Sequence, residues 1–122
     1  YLLYARANPA YGERFVQYTR SPDLHRWSAF RFISIKGVDP TKQPINVYTF
    51  SVQSHPLNKS WLLGFFPLHR VYPKRSETSA TAALMLACSA DGAHFSLPTA
   101  LLRCRASHDR RTLALPVANG LR

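Results

Sequence analysis

Apolar and aromatic residues along this chain come in short runs separated by turn residues, a pattern that predicts strands. The first run covers Tyr1 to Ala7 and closes at Asn8-Pro9 and Gly12, and the second covers Arg14 to Arg20 and stops at Ser21-Pro22-Asp23. Phe30 to Ile35 alternates, Phe30, Phe32 and Ser34 against Arg31, Ile33 and Ile35, and a polar loop from Lys36 to Pro44 follows. Asn46 to Ser54 alternates again, with Val47, Thr49, Ser51 and Gln53 opposed to Tyr48, Phe50 and Val52. Trp61 to Phe66 is an apolar run ended by Pro67, after which a basic, Ser/Thr-rich loop extends from about His69 to Thr81. Ala83 to Cys88 and Thr99 to Cys104 complete the set. The stretch Ala83 to Ala87 has helical propensity, but it is short and runs into Ser89-Ala90-Asp91-Gly92, which favours a strand.

An internal repeat organises these runs. Ser21, Asp23, Trp27 and Ser28 recur as Ser89, Asp91, Phe95 and Ser96, each displaced by 68 positions. Upstream, Tyr1-Leu2-Leu3 aligns with Trp61-Leu62-Leu63 at an offset of 60. Each copy reads as strand, loop, strand, Ser-x-Asp turn with an aromatic, strand. Asn46 to Ser54 supplies a first strand to the second copy, and the counterpart in the first copy would precede Tyr1. Four strands per repeated unit is the pattern of propeller blades. The expected fold is therefore all-β, a partial β-propeller of about two four-stranded antiparallel blades. Blade one spans 1–36, blade two 46–105, and a further blade begins at 112–122. Both ends read as cut from a longer chain, with the remaining blades missing from it.

The repeated turn has a physical rationale. Ser and Asp oxygens accept hydrogen bonds from amides one or two residues ahead and fix a tight reversal. The aromatic four residues past the Asp is expected to fold back and bury its ring against the adjacent blade. Ser21, Asp23, Trp27, Ser89, Asp91 and Phe95 are thus assigned to the turn structure and not to catalysis.

Ser21-Pro22-Asp23-Leu24-His25-Arg26-Trp27-Ser28 resembles the Ser-x-Asp-Leu-x-x-Trp signature of five-bladed propeller glycoside hydrolases, those of families 32 and 43 and their relatives. Ser89-Ala90-Asp91-Gly92-Ala93-His94-Phe95 is similar, and also resembles the Asp-box of sialidases, which carries its aromatic one residue further from the Asp. The motif covers about eight residues, twice. The resemblance implies an axial pocket lined by the innermost strand of each blade, with catalytic carboxylates contributed by different blades. Glycoside hydrolysis ordinarily needs two carboxylates facing the scissile bond. With Asp23 and Asp91 set aside, Glu13, Asp39, Glu77 and Asp109 remain, all in predicted loops, so no catalytic residue is carried across and enzymatic activity is left open.

If 46–54 is the axial strand, Tyr48, Gln53 and His55 are placed to reach a central pocket, where rings stack on sugars and amide or imidazole groups bond hydroxyls. The competing assignment makes Tyr48 inter-blade core and His55 a strand end before Pro56. Arg6 and Asn8 close the first strand, with Arg14 and Gln17 just beyond its hairpin. Arg6, inside an apolar run, suits a carboxylate or sulfate, or else an edge position with its guanidinium in water. Carbohydrate is the expected ligand of Arg6, Asn8, Gln17, Tyr48, Gln53 and His55.

Charge widens the choice. Sixteen Lys and Arg oppose six Asp and Glu, a formal net charge of +10. That excess favours polyanions, so a nucleic-acid- or polyanion-binding β module is a second functional class, and a non-catalytic interaction platform a third. The basic residues are nevertheless spread along the chain, with only short pairs at Lys74-Arg75 and Arg110-Arg111, as on an ordinary solvated surface. No apolar run reaches the roughly 20 residues of a membrane span. Cys88, His94, Cys104 and His108 match no common zinc spacing, so no metal is expected, and no cofactor motif is present. Cys88 and Cys104 are free to pair or to stay reduced, and the Asn58-Lys59-Ser60 sequon is compatible with secretion without establishing it.

Overall fold

A computed structural model of the chain describes residues 1–9, 13–42, 45–70 and 81–104. Among them there is no helix, and ten strands are present: β1 (Leu2–Ala7), β2 (Phe15–Arg20), β3 (Arg31–Phe32), β4 (Ser34–Ile35), β5 (Ile45–Val47), β6 (Ser51–Ser54), β7 (Leu62–Arg70), β8 (Thr81–Ser89), β9 (His94–Phe95) and β10 (Thr99–Cys104). The all-β expectation holds, and 83–87 lies within a strand. The expected blade start at 112–122 lies outside the described residues.

The strands form two antiparallel sheets and a link between them. The first sheet has the order β1-β2-β3; the second runs β10-β8-β7-β5, with β6 also on β7. The second sheet thus has an additional layer, β5 and β6, where the first has β1 at its edge. Two parallel contacts stitch the sheets together: β4 pairs with β9, and Arg14 bridges Asn46 with the Val47 amide donating to Arg14 O at 2.8 Å. Between the sheets lies one core. Phe15, Val16, Ile33, Ile35 and Val38 come from the first unit, and Ile45, Val47, Phe66, Leu68, Ala87 and Phe95 from the second. Burying a ring such as Phe66, fully inaccessible here, contributes about 2–3 kcal/mol, so this shared core holds the two units against each other.

The ladders show how faithfully the unit is repeated. In the first sheet Gln17 faces Phe32 and Tyr18 faces Arg31; in the second Met85 faces Ala100 and Leu86 faces Thr99, every residue displaced by 68. The break between β3 and β4 at Ile33 corresponds to the register shift of β10 between Ala100 and Leu102. Upstream, the register corrects the sequence alignment by one residue. Leu2 faces Arg20, and the counterpart of Arg20, Cys88, faces Leu63, so the offset there is 61 and not 60. An apolar run such as Trp61-Leu62-Leu63 does not fix its own phase, whereas one step of register decides which face each side chain occupies.

Two strand boundaries also differ from expectation. Asn46 to Ser54 is not one strand but two, β5 and β6, separated by Tyr48-Thr49-Phe50. Both pair with β7: Val47 faces Leu68 and Ser51 faces Phe65, so three residues on one side oppose Phe66 and Pro67 on the other. That is a one-residue bulge, and it falls opposite the residue of β7 that has no N–H to give. Pro67 accordingly does not end the strand, which continues to Arg70, with Pro67 facing Leu84 on β8. Phe30 to Ile35 is likewise split, because the chain leaves β2 after Phe32 and joins β9 from Ser34.

The two corners share a common set of bonds, to which the second adds a bond from the Gly92 amide to Ser89 Oγ at 2.8 Å. Asp23 Oδ1 accepts from the amides of His25 and Arg26 at 2.9 and 2.8 Å, and Asp91 Oδ1 accepts from those of Ala93 and His94 at 2.8 Å. Ser21 and Ser89 hydroxyls each donate to the carboxylate two residues on and accept from its amide. Ser28 and Ser96 amides close the loops onto Arg20 O and Cys88 O at 2.9 and 2.8 Å. Leu24 and Gly92 take positive φ, 67° and 74°. Phe95 is buried against Tyr4 and Phe50, with centroids 6.4 and 5.0 Å away. Trp27 departs from the expectation of a buried ring: it is 39% exposed, and its indole N–H donates to Leu24 O at 3.0 Å.

Candidate functional site

Of the residues singled out in the sequence, Arg6 and Tyr48 come together. They line one cleft of about 220 Å³ with Tyr4, Ala5, Val16, Thr49 and Phe50. Arg6 is placed there by β1, where it faces Val16 of β2; Tyr48 is placed by the bulge that ends β5. Leaving the ladder at residue 48 lets the ring stand out from the sheet while Val47 stays fully buried. The Arg14 guanidinium lies 4.8 Å from the Tyr48 ring centroid, and the His69 imidazole meets that ring edge-on at 5.0 Å. Cation and aromatic edge hold the phenol ring in a defined orientation.

Behind Tyr48 sits a polar pair that no motif in the sequence marks. Asn46 faces His69 across the β5–β7 ladder. Both are more than nine-tenths buried, and among the described residues Asn46 Oδ1, His69 Nε2 and Glu13 Oε2 have no hydrogen-bond partner. Unpaired buried polar atoms cost about 1–3 kcal/mol each, so their gathering around the Arg14–Asn46 bridge is unfavourable for folding alone. Burial disfavours the charged form of His69 and lowers its pKa. The imidazole is therefore a neutral hydrogen-bonding group near neutral pH. The basic, Ser/Thr-rich composition from about His69 onward predicts a loop; the structure extends β7 through His69 to Arg70. A polar residue facing Asn46 across two otherwise apolar strands was the signal available, but it becomes visible only with the register.

The remaining candidates do not join the cleft. Gln17 donates from Nε2 to Arg6 O at 3.3 Å and braces the β1–β2 pair. Asn8 is exposed just past β1. Gln53 lies on β6 facing Leu63, far along β7 from His69. His55 Nδ1 accepts from the amides of Leu57 and Asn58, both at 3.1 Å, so it shapes the reversal before β7.

The acidic residues follow their turn roles. Backbone amides, that of Arg26 foremost, hold the Asp23 carboxyl below its ordinary range. Asp91 is held far lower, first by the His94 amide and then by the His94 ring, whose Nδ1 lies 2.6 Å from Oδ2. Asp39 caps its own loop by accepting from the Thr41 hydroxyl and amide, with the hydroxyl the larger cause of its lowered pKa. Groups so firmly ionised are poor proton donors. Glu77 and Asp109 lie outside the described residues.

The cysteine alternatives resolve on the ladder. Cys104 faces Ala82 and Cys88 lies six residues further along β8, about 20 Å away at strand rise, too far for a disulfide. Cys88 is a free, half-buried thiol. The same separation prevents both cysteines from reaching one metal, and His108 lies outside the described residues. No helix among the described residues is long and apolar enough to cross a membrane.

No family model matches the chain, and comparison with curated proteins and with solved structures likewise gives no match.

Proposed function

We propose that the two sheets are successive blades of a β-propeller of the glycoside-hydrolase-like kind, and that the Arg6–Tyr48 cleft is part of its carbohydrate site. The observation that carries this reading is the convergence of Arg6 and Tyr48, 42 positions apart in sequence, on one cleft with an aromatic lining. Tyr4, Tyr48 and Phe50 offer ring surface to the C–H faces of a sugar, and Arg6 offers a fork of donors to hydroxyls, a carboxylate or a sulfate. The duplicated corner and the core shared by the two sheets support the propeller half of the proposal. The described residues contribute binding groups and scaffold. They include no facing pair of carboxylates for hydrolysis, so any catalytic pair comes from elsewhere in the propeller.

A panel of neutral, uronic-acid and sulfated oligosaccharides tests this reading, using the wild-type chain, Tyr48→Ala and Arg6→Ala. Binding that Tyr48→Ala weakens about tenfold or more supports it, with Arg6→Ala acting most on the charged glycans. No binding across the panel removes it. Equal binding of heparin and DNA that collapses steeply with salt, unchanged in Tyr48→Ala, favours the polyanion module instead, in keeping with the net charge of +10.

A further inference from the structure

The Arg6–Tyr48 cleft offers hydrogen-bond donors and almost no side-chain acceptors. Its described walls carry the Arg6 guanidinium and the hydroxyls of Tyr48 and Thr49, all on exposed residues. None of these three groups has a hydrogen-bond partner or an ion pair among the described residues. Tyr4 also lines the cleft, but its hydroxyl is committed to Gly92 O at 2.8 Å, so it contributes ring surface alone. Ala5, Val16 and Phe50 complete the lining with apolar atoms, and no carboxylate or amide side chain stands on it.

Charge runs the same way. The described aspartates are paired elsewhere, Asp23 with Arg26, Asp39 with Lys42 and Asp91 with His94, so none of them turns to Arg6. Arg14, 4.8 Å from the Tyr48 ring centroid, adds positive potential to the opposite wall. A neutral sugar presents hydroxyls that donate as well as accept, and it needs acceptor side chains to receive their protons. An anionic oxygen group only accepts, and the planar arginine fork matches two of its oxygens at once. Donors without acceptors, set against aromatic rings, therefore select a ring that carries an anionic group.

We infer that the cleft takes an acidic sugar residue, with its carboxylate or sulfate on Arg6 and the Tyr48 and Thr49 hydroxyls and its ring against Tyr4 and Phe50. The inference rests on the carbohydrate reading of the cleft and narrows it. At about 220 Å³ the cleft is smaller than the roughly 300–1,000 Å³ of sites that enclose drug-sized molecules, so it accepts one residue of a glycan and not a length of it. The net charge of +10 draws any polyanion to the surface; the cleft adds a short-range preference that depends on one arginine.

Calorimetric titration with three matched oligosaccharides tests it: a uronate form, its uncharged methyl ester, and a sulfated form of the corresponding neutral sugar. The proteins are the wild type, Arg6→Ala and Lys59→Ala, the last removing a cation from the exposed reversal between β6 and β7, at the opposite end of β7 from His69. Thermal melting establishes that both variants remain folded. The wild type is expected to bind an acidic form about tenfold or more tightly than the ester, and the preferred acid identifies the group on Arg6. Arg6→Ala is expected to abolish that preference and Lys59→Ala to keep it. Equal binding of ester and acids overturns the inference and leaves the carbohydrate reading standing, whereas failure of all three to bind removes both. A preference that survives Arg6→Ala, or that Lys59→Ala lowers as much, also overturns it.

Discussion

Leu24 and Gly92 occupy the same step of two equivalent corners, with φ of 67° and 74°, yet one lies in solvent and the other beneath Leu2 and Tyr4. Opposite consequences of substitution follow. Leu24→Gly is expected to raise the stability of the fold by up to about 1 kcal/mol, since relief of a left-handed leucine outweighs the added freedom of the unfolded chain. Gly92→Ala is expected to cost about 2 kcal/mol or more. Its Cβ would stand 2.5 Å from Leu2 Cδ1 and 2.7 Å from Tyr4 Oη, in a backbone conformation that already disfavours it. Urea unfolding of the two variants beside the wild type measures both signs at once.

Tyr4 links the units chemically as well as sterically, and its ionisation reports on that link. Burial raises its pKa to about 12, against a partial lowering by Arg20. A group raised in the folded state contributes stability that is complete below its unfolded pKa, near 10, and is lost as pH rises toward 12. Stability is therefore expected to fall between pH 10 and 12 in the wild type, and less steeply in Tyr4→Phe, which also gives up the bond to Gly92 O at a cost of about 1 kcal/mol. Ultraviolet titration of tyrosinate checks the assignment: one phenol titrates late in the wild type and is missing from Tyr4→Phe.

How much of this was legible in the sequence depends on what each feature needs. The corner could be read because Ser21, Asp23 and their counterparts act on amides within three residues, so the chemistry is local. The position of Trp27 could not, because whether a ring is covered depends on a neighbour outside the turn. The split of 46–54 was hidden for a similar reason: its cause is Pro67, on another strand. In the site, Arg6 and Tyr48 stood out as residues unusual for their surroundings, and they do share a cleft. His55 stood out equally, but its Nδ1 is used by the next turn. Asn46 and His69 do not stand out in the sequence, since their proximity is created by the β5–β7 register, and Glu13 reads there only as one more loop carboxylate.

His69 makes the polar group behind Tyr48 measurable. Burial lowers its pKa, so the unfolded chain binds its proton first as the solution is acidified. Stability is thus fully present above the unfolded value, near 6.5, and declines as pH falls below it. His69→Gln, which keeps a polar side chain without the titration, is expected to flatten that part of the profile. Denaturant midpoints from pH 8 to 5 for both proteins, with the ring resonances of His69 followed by NMR, decide the matter. A slope unchanged by the substitution would remove His69 as its source.

Everything functional rests on the two sheets sharing one core and the β4–β9 link. A NOESY spectrum of the labelled chain tests that most directly. The predicted result is cross-peaks from the Phe95 ring to Tyr4 and Phe50, and between Ser34–Ile35 and His94–Phe95, together with strand contacts pairing Leu2 with Arg20 and Leu63 with Cys88. Intact hairpins with no cross-peaks between residues 1–38 and 45–104 would contradict it.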